Sequence, residues 1–256
     1  MLLAGSKRAP PPSKLFLQVA TDLPPAPEPE VVAEMDLFFD ALLPVLEAEA
    51  AMASDEGEVV ALFAPRGADP AGLELPLVES WRLLHSMELG ESDVFVDLGC
   101  SLGRVAFLAS LMTGCKSVGV ELSPRRSKMG RDAVGRLPDA LAALRSETSC
   151  GLRGNWQTEQ LQSQMEMHEG DLLDADLSEA TFVFLSVRCL DAALMVNIVE
   201  CVVSSICRCR QGVTTRLLAP AFVIDNQAAR LLRAFSIDGY GGETRVFAEY
   251  EVRSDS

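Results

Sequence analysis

Hydrophobic residues in this chain follow two rhythms, and the change between them locates the folded elements. Met35, Phe38, Phe39, Leu42, Leu43 and Leu46 recur every three or four positions, the spacing that stacks side chains on one face of a helix. Pro44 stands inside that run. Its ring clashes with the preceding turn, so the helix should kink or break between Asp40 and Leu43. The polar face carries only acids, whereas helices lying on membranes carry lysine and arginine there; packing on the domain body is expected.

From Leu77 onward short apolar runs alternate with helical stretches. Val94 to Val96, Ser117 to Val120, Met165 to Met167 and Thr181 to Leu185 read as four strands, with Arg216 to Ile224 and Thr244 to Val252 as later ones. Helical segments between the strands mark parallel βαβ units. Leu190 to Val203 is apolar nearly all round, predicting a buried helix that covers a sheet face. Seven prolines between Pro10 and Pro29 remove backbone donors and favour extended chain. The expected organisation is a flexible Pro-rich leader over 1–30, a helical segment over 31–90 and a catalytic-size domain over 91–256.

Composition narrows the classes. Apolar residues are 48% and charged residues 23%, ordinary for a globular chain, and no apolar run of about 18 residues suggests a membrane span. Residues 22–58 carry eleven acids and no Lys or Arg, and residues 1–21 three bases and no acid, so of the net charge of −15 only −7 belongs to residues 59–256. Clustered Lys and Arg, the footprint of direct nucleic-acid binding, are missing from most of the chain. A basic protein is the electrostatically easier partner. An odd count of seven cysteines at irregular spacing argues for a reducing, intracellular compartment, nuclear or cytoplasmic being left open. Cys201, Cys207 and Cys209 lack a CxxC spacing and a nearby histidine, so no metal site is expected.

The chemistry concentrates at DVFVDLGCSLGR, residues 93–104, read as a strand, a glycine loop and a helix start. Such a loop brings backbone close to a ligand and points free amides at it. A dinucleotide fingerprint would need glycines at 99, 101 and 104, where this chain has Gly99, Ser101 and Arg104. Asp97 would repel a pyrophosphate but accept hydrogen bonds from an ammonium group. The pattern therefore suits S-adenosylmethionine better than a nicotinamide dinucleotide. Glu121 follows Gly103 by 18 residues, near the roughly 20-residue offset of a ribose-binding carboxylate. Ser123 and Pro124 begin the next helix, whose Arg125, Arg126, Lys128, Arg131 and Arg136 are read as a solvated face. Asp171, at the carboxyl edge of the third strand, could accept from the adenine amino group. Ser186, Val187 and Arg188 should face the methyl group and its acceptor.

The blocks DVFVDLGCSLGR, VGVELSP and HEGDLLDADLSEATFVFL together resemble the Dot1-like histone-lysine methyltransferase family, a match running from Glu74 to about Leu217. The resemblance implies an α/β fold: a Rossmann-like class I methyltransferase sheet with helices on both faces, preceded by the Pro-rich leader and the N-terminal helical segment. It implies S-adenosylmethionine as cofactor, with Asp97, Gly99 and Gly103 at the methionine end, Glu121 at the ribose, and Asp171 with Leu172 at the adenine; Cys100 is a further cofactor-binding candidate. GLELPLVESWRLL resembles the family's Tyr-Gly-Glu segment and makes Glu74 a cofactor-loop residue. After the fourth strand, nucleosomal members carry Asn-Asn-Phe and this chain has Ser186, Val187 and Arg188, with Ser186 the candidate catalytic residue. The resemblance implies N-methylation of lysine in a basic protein substrate, histones included. The competing readings are a small-molecule or RNA methyltransferase, a binding module that keeps the fold without chemistry, and an NAD oxidoreductase.

Overall fold

The structure is a computed structural model in which residues 21–44, 61, 75–146, 157–186, 192–209, 212–220, 227–238 and 244–253 are described. Among the described residues seven strands form one sheet in the order β3-β2-β1-β4-β5-β7-β6: β1 Val94–Leu98, β2 Lys116–Glu121, β3 Met165–Glu169, β4 Phe182–Leu185, β5 Thr214–Pro220, β6 Ala229–Asp238 and β7 Thr244–Arg253. The first five run parallel, while β7 lies antiparallel between β5 and β6. The parallel order reverses between β1 and β4, the switch point outside which open α/β sheets bind ligands.

Helices α1 Pro29–Leu42, α2 Leu77–Ser86, α3 Arg104–Thr113 and α4 Pro124–Ser146 bury their apolar faces in one cluster with Phe95, Phe182 and Phe184 of the sheet. The short α5 Thr158–Ser163 joins this cluster through Leu161. On the opposite face α6 Ala192–Cys209 packs Met195, Val199, Val202, Val203 and Ile206 against Val96, Val183 and Leu217. The helix expected over Leu190 to Val203 is therefore present but one-sided, since Asn197, Cys201 and Ser204 are exposed.

Helix α1 ends at Leu42, two residues before Pro44, with Met35, Phe38, Phe39 and Leu42 buried, as the spacing and the proline require. Of the leader, residues 1–20 lie outside the described residues. Residues 21–28 are not helical or sheet-paired as a strand, yet they are fastened: Thr21 N–H donates to Ala234 O at 2.8 Å, Arg82 Nε donates to Pro24 O at 2.6 Å, and Leu23 is buried. Two expectations are corrected. The strand read over Arg216 to Ile224 starts earlier, at Thr214, with residues 221–224 lying outside the described residues, and β6 was not foreseen. Arg126, read as part of a solvated face, is 4% exposed.

One buried charge ties the antiparallel edge to the helices. Glu249 of β7, 1% exposed, accepts from Arg216 Nε of β5 at 2.5 Å and from Arg233 Nε of β6 at 2.6 Å. The same guanidinium groups donate to Met87 O and Ser86 O, the carbonyls closing α2, at 2.5 and 2.7 Å. Cations belong at a helix carboxyl end, where the unpaired carbonyls carry partial negative charge. Arg216 also lies over the Phe182 ring at 5.1 Å and Arg233 over Phe235 at 4.9 Å.

Candidate active site

The loop after β1 folds back on β2. Gly99 and Gly103 both have φ 83°, and Ser101 between them has φ 53°. Gly99 and Cys100 N–H donate to Val120 O at 2.8 and 3.1 Å, Gly103 N–H donates to Cys100 O at 2.8 Å, and Ser101 N–H donates to Glu121 Oε2 at 2.9 Å. Four of the amides expected to be free, those of Gly99, Cys100, Ser101 and Gly103, are thus occupied within the protein. What remains is rich in acceptors, the wrong polarity for a pyrophosphate and the right one for ammonium and hydroxyl groups.

Asp97 and Glu121 supply that polarity from the carboxyl ends of β1 and β2. Asp97 is 1% exposed, and burial pushes its carboxyl up to about 7, opposed by a hydrogen bond from Ser186 and reinforced by the charge of Glu121. Ser186 closes β4 across the switch point. Its Oγ lies 2.7 Å from Asp97 Oδ1, 2.9 Å from Gly99 O and 3.3 Å from Leu98 O. A hydroxyl has one proton to give. With Asp97 ionised it donates to the carboxylate; with Asp97 protonated, the acid donates to Ser186 Oγ and Ser186 donates to Gly99 O. Ser186, expected to face the methyl acceptor, is instead 4% exposed and turned toward Asp97 and the loop. Val187 and Arg188 lie outside the described residues.

Glu121 is 3% exposed and bridges two elements, accepting from Ser101 N–H through Oε2 and from Ser123 N–H through Oε1 at 2.8 Å. A carboxylate offers about four lone-pair sites over its two oxygens, so accepting from these two amides is compatible with also accepting from a diol. Ser123 also accepts from Arg126 N–H at 3.3 Å, the predicted helix cap. Farther along the edge, Asp171 caps the short 3₁₀ turn Leu172–Asp174 by accepting from Leu173 N–H at 3.1 Å; Asp171 and Leu172 are half-buried. Cys100 is buried, and its thiol is pushed well up by burial and by the charges of Asp97 and Glu121, so it acts as an apolar wall rather than a nucleophile. Glu74 lies outside the described residues.

Sequence reasoning missed Met167. A Cβ on Gly103, Gly119 or Gly130 would fall 2.5 to 2.6 Å from the nearest Met167 atom, so this one thioether fills the space that three glycines leave between loop, strand and helix. Glycines at 103, 119 and 130 in different elements were the available signal. Gly103→Ala adds a backbone conformation that L side chains avoid. We expect it to cost about 2–3 kcal/mol, read as a lower denaturant midpoint with unchanged m-value.

Comparison with known proteins places this arrangement. A family model described as "Histone methylation protein DOT1" matches residues 74–231, more than half the chain. The chain belongs to the DOT1 family. A curated relative from Caenorhabditis elegans, a histone-lysine N-methyltransferase described as H3 lysine-79 specific, is 29% identical to this DOT1-family chain over 122 residues, which are 45% of the chain and 11% of the relative. The chain thus spans a small part of that relative. Solved structures similar to it include an RNA methyltransferase from Salinibacter ruber in complex with S-adenosyl-L-homocysteine, 22% identical, covering 72% of this chain and 96% of that one at a TM-score of 0.47. Another is a SAM-dependent methyltransferase from Aquifex aeolicus, 11% identical, covering 77% and 98% at a TM-score of 0.45. Among the described residues no helix is long and apolar enough to cross a membrane, and no group of His, Cys, Asp and Glu could hold a metal ion.

Proposed function

We propose that this DOT1-family chain binds S-adenosylmethionine and transfers its methyl group to lysine side chains of a basic protein, histones being the first candidates. The observation that carries the reading is the pair of buried carboxylates, Asp97 and Glu121, set at the ends of β1 and β2 beside the switch point and a loop four of whose amides are internally occupied. The cofactor supplies a sulfonium-bound methyl that an unprotonated amine can displace. The protein's part is binding, orientation and exclusion of water. Asp97 meets the ammonium of the amino-acid end, and Glu121 takes the ribose hydroxyls without releasing the loop. Gly99 and Gly103 let the backbone approach, Cys100 walls the site, and Asp171 with Leu172 borders the adenine. Ser186 is a positioning residue that orients Asp97 and steers its proton. The acids of residues 22–58 favour a basic acceptor. Glu74 is carried over as a cofactor-loop residue from the family resemblance.

The test is transfer of labelled methyl from S-adenosylmethionine to histone octamers, nucleosomes, total RNA and a metabolite extract, after calorimetry with the cofactor. Label on lysine of histones supports the reading. Label confined to RNA or metabolites replaces the acceptor, and absence of cofactor binding overturns the whole proposal in favour of a fold without its chemistry.

A further inference from the structure

We infer that the Ser101 hydroxyl is a cofactor-binding group, donating a hydrogen bond to the carboxylate at the amino-acid end of S-adenosylmethionine; this rests on the cofactor reading above. Ser101 combines two unfavourable features. Its φ of 53° is in the left-handed region, which strains any side-chain-bearing residue. Its Oγ is buried, in a residue 7% exposed, and has no hydrogen-bond partner among the described residues, a state that costs free energy because the group has left water without compensation. Glycine at this position, like Gly99 and Gly103 on either side, would relieve both. A polar side chain held against strain and desolvation in a binding loop is the pattern of a group reserved for a ligand.

The donor inventory points to the ligand atom. The amino-acid end of the cofactor is a zwitterion. Asp97 and Glu121 provide acceptors for its ammonium and for the ribose, but the amides of Gly99, Cys100, Ser101 and Gly103 all donate within the protein. The carboxylate needs a donor, and Ser101 carries a hydroxyl in the same loop. Its own amide is anchored on Glu121 at 2.9 Å, so the Cα is fixed and rotation about one bond aims the oxygen.

Calorimetry on the full chain, its Ser101→Ala and its Ser101→Gly variants should use two ligands: S-adenosylhomocysteine, and 5′-methylthioadenosine, which keeps adenine, ribose and sulfur but lacks the amino-acid end. Both variants should bind S-adenosylhomocysteine about tenfold more weakly and 5′-methylthioadenosine as the parent does. Ser101→Gly should melt about 2–4 °C higher, so affinity falls while stability rises. Equal weakening for both ligands, or none for either, would overturn the assignment. A parent chain that binds neither ligand would instead remove the cofactor reading and this inference with it.

Discussion

Asp97→Asn should leave the fold intact and weaken S-adenosylmethionine binding by about a hundredfold or more, the cost of removing one partner from a buried, hydrogen-bonded ion pair. The amide keeps the shape and the neighbour Ser186 but not the charge that meets the ammonium. In the parent chain the same charge makes affinity depend on pH. Asp97 titrates near 7, so binding should strengthen about tenfold per pH unit up to that value and level off above it. In Asp97→Asn the profile should be flat. Ser186→Ala removes the hydrogen bond that holds the carboxyl down and should move the midpoint to higher pH. Calorimetry from pH 5 to 9 reads all three; a pH-independent parent would remove Asp97 from the ammonium site.

Stability without ligand should run the other way. The folded carboxyl holds its proton up to about 7 and the unfolded one only to its ordinary 3.8, so between those values the folded state binds more protons. The ligand-free protein should therefore lose stability as pH rises through that window, by on the order of a few kcal/mol. Asp97→Asn should abolish the loss. Binding of the cation restores what ionisation takes away, which is how a site can be costly when empty and tight when filled.

Glu249→Ala should be the most destabilising single change at the sheet edge, by about 3–5 kcal/mol, lowering the melting temperature on the order of 10 °C. It would leave Arg216 and Arg233 without their shared counter-charge while both remain against aromatic rings and the end of α2. The arginine side chains keep 30% and 28% exposure, which favours the lower half of that range. Differential scanning calorimetry checks it. A loss below about 1 kcal/mol would mean that the triad behaves as an exposed ion pair, and cofactor affinity well below the transition should be unchanged either way.

The elements whose logic is local were legible in the sequence. Pro44 stopped α1 for a reason visible within one turn. Asp97, Gly99, Gly103 and Glu121 announced a strand, loop, helix and second strand because each depends on neighbours a few residues away. What escaped reading depends on partners distant in sequence. Strand β6 carries Arg230 and Arg233 inside its span, which reads as surface until Glu249 and Glu251 arrive opposite on β7. Ser186 was expected to face the acceptor because its hydrogen-bond partners stand 87 to 89 positions earlier. The glycine loop was expected to offer free amides, since only the folded register puts Val120 O beneath two of them.

The seating of Met167 has a consequence for how this sequence can vary. Three glycines on a loop, a strand and a helix face one thioether, so their substitutions are not independent events. An alanine at 130 must displace the end of the methionine and seats more easily once residue 167 is shortened, while the shortened residue leaves a void until an alanine fills it; at 119 the Cys100 thiol, 2.7 Å from the added carbon, must give as well. Residues 130 and 167 thus form a coupled pair, Gly119 joins them only together with Cys100, and Gly103 stands apart because its backbone conformation, and not the thioether alone, holds it to glycine.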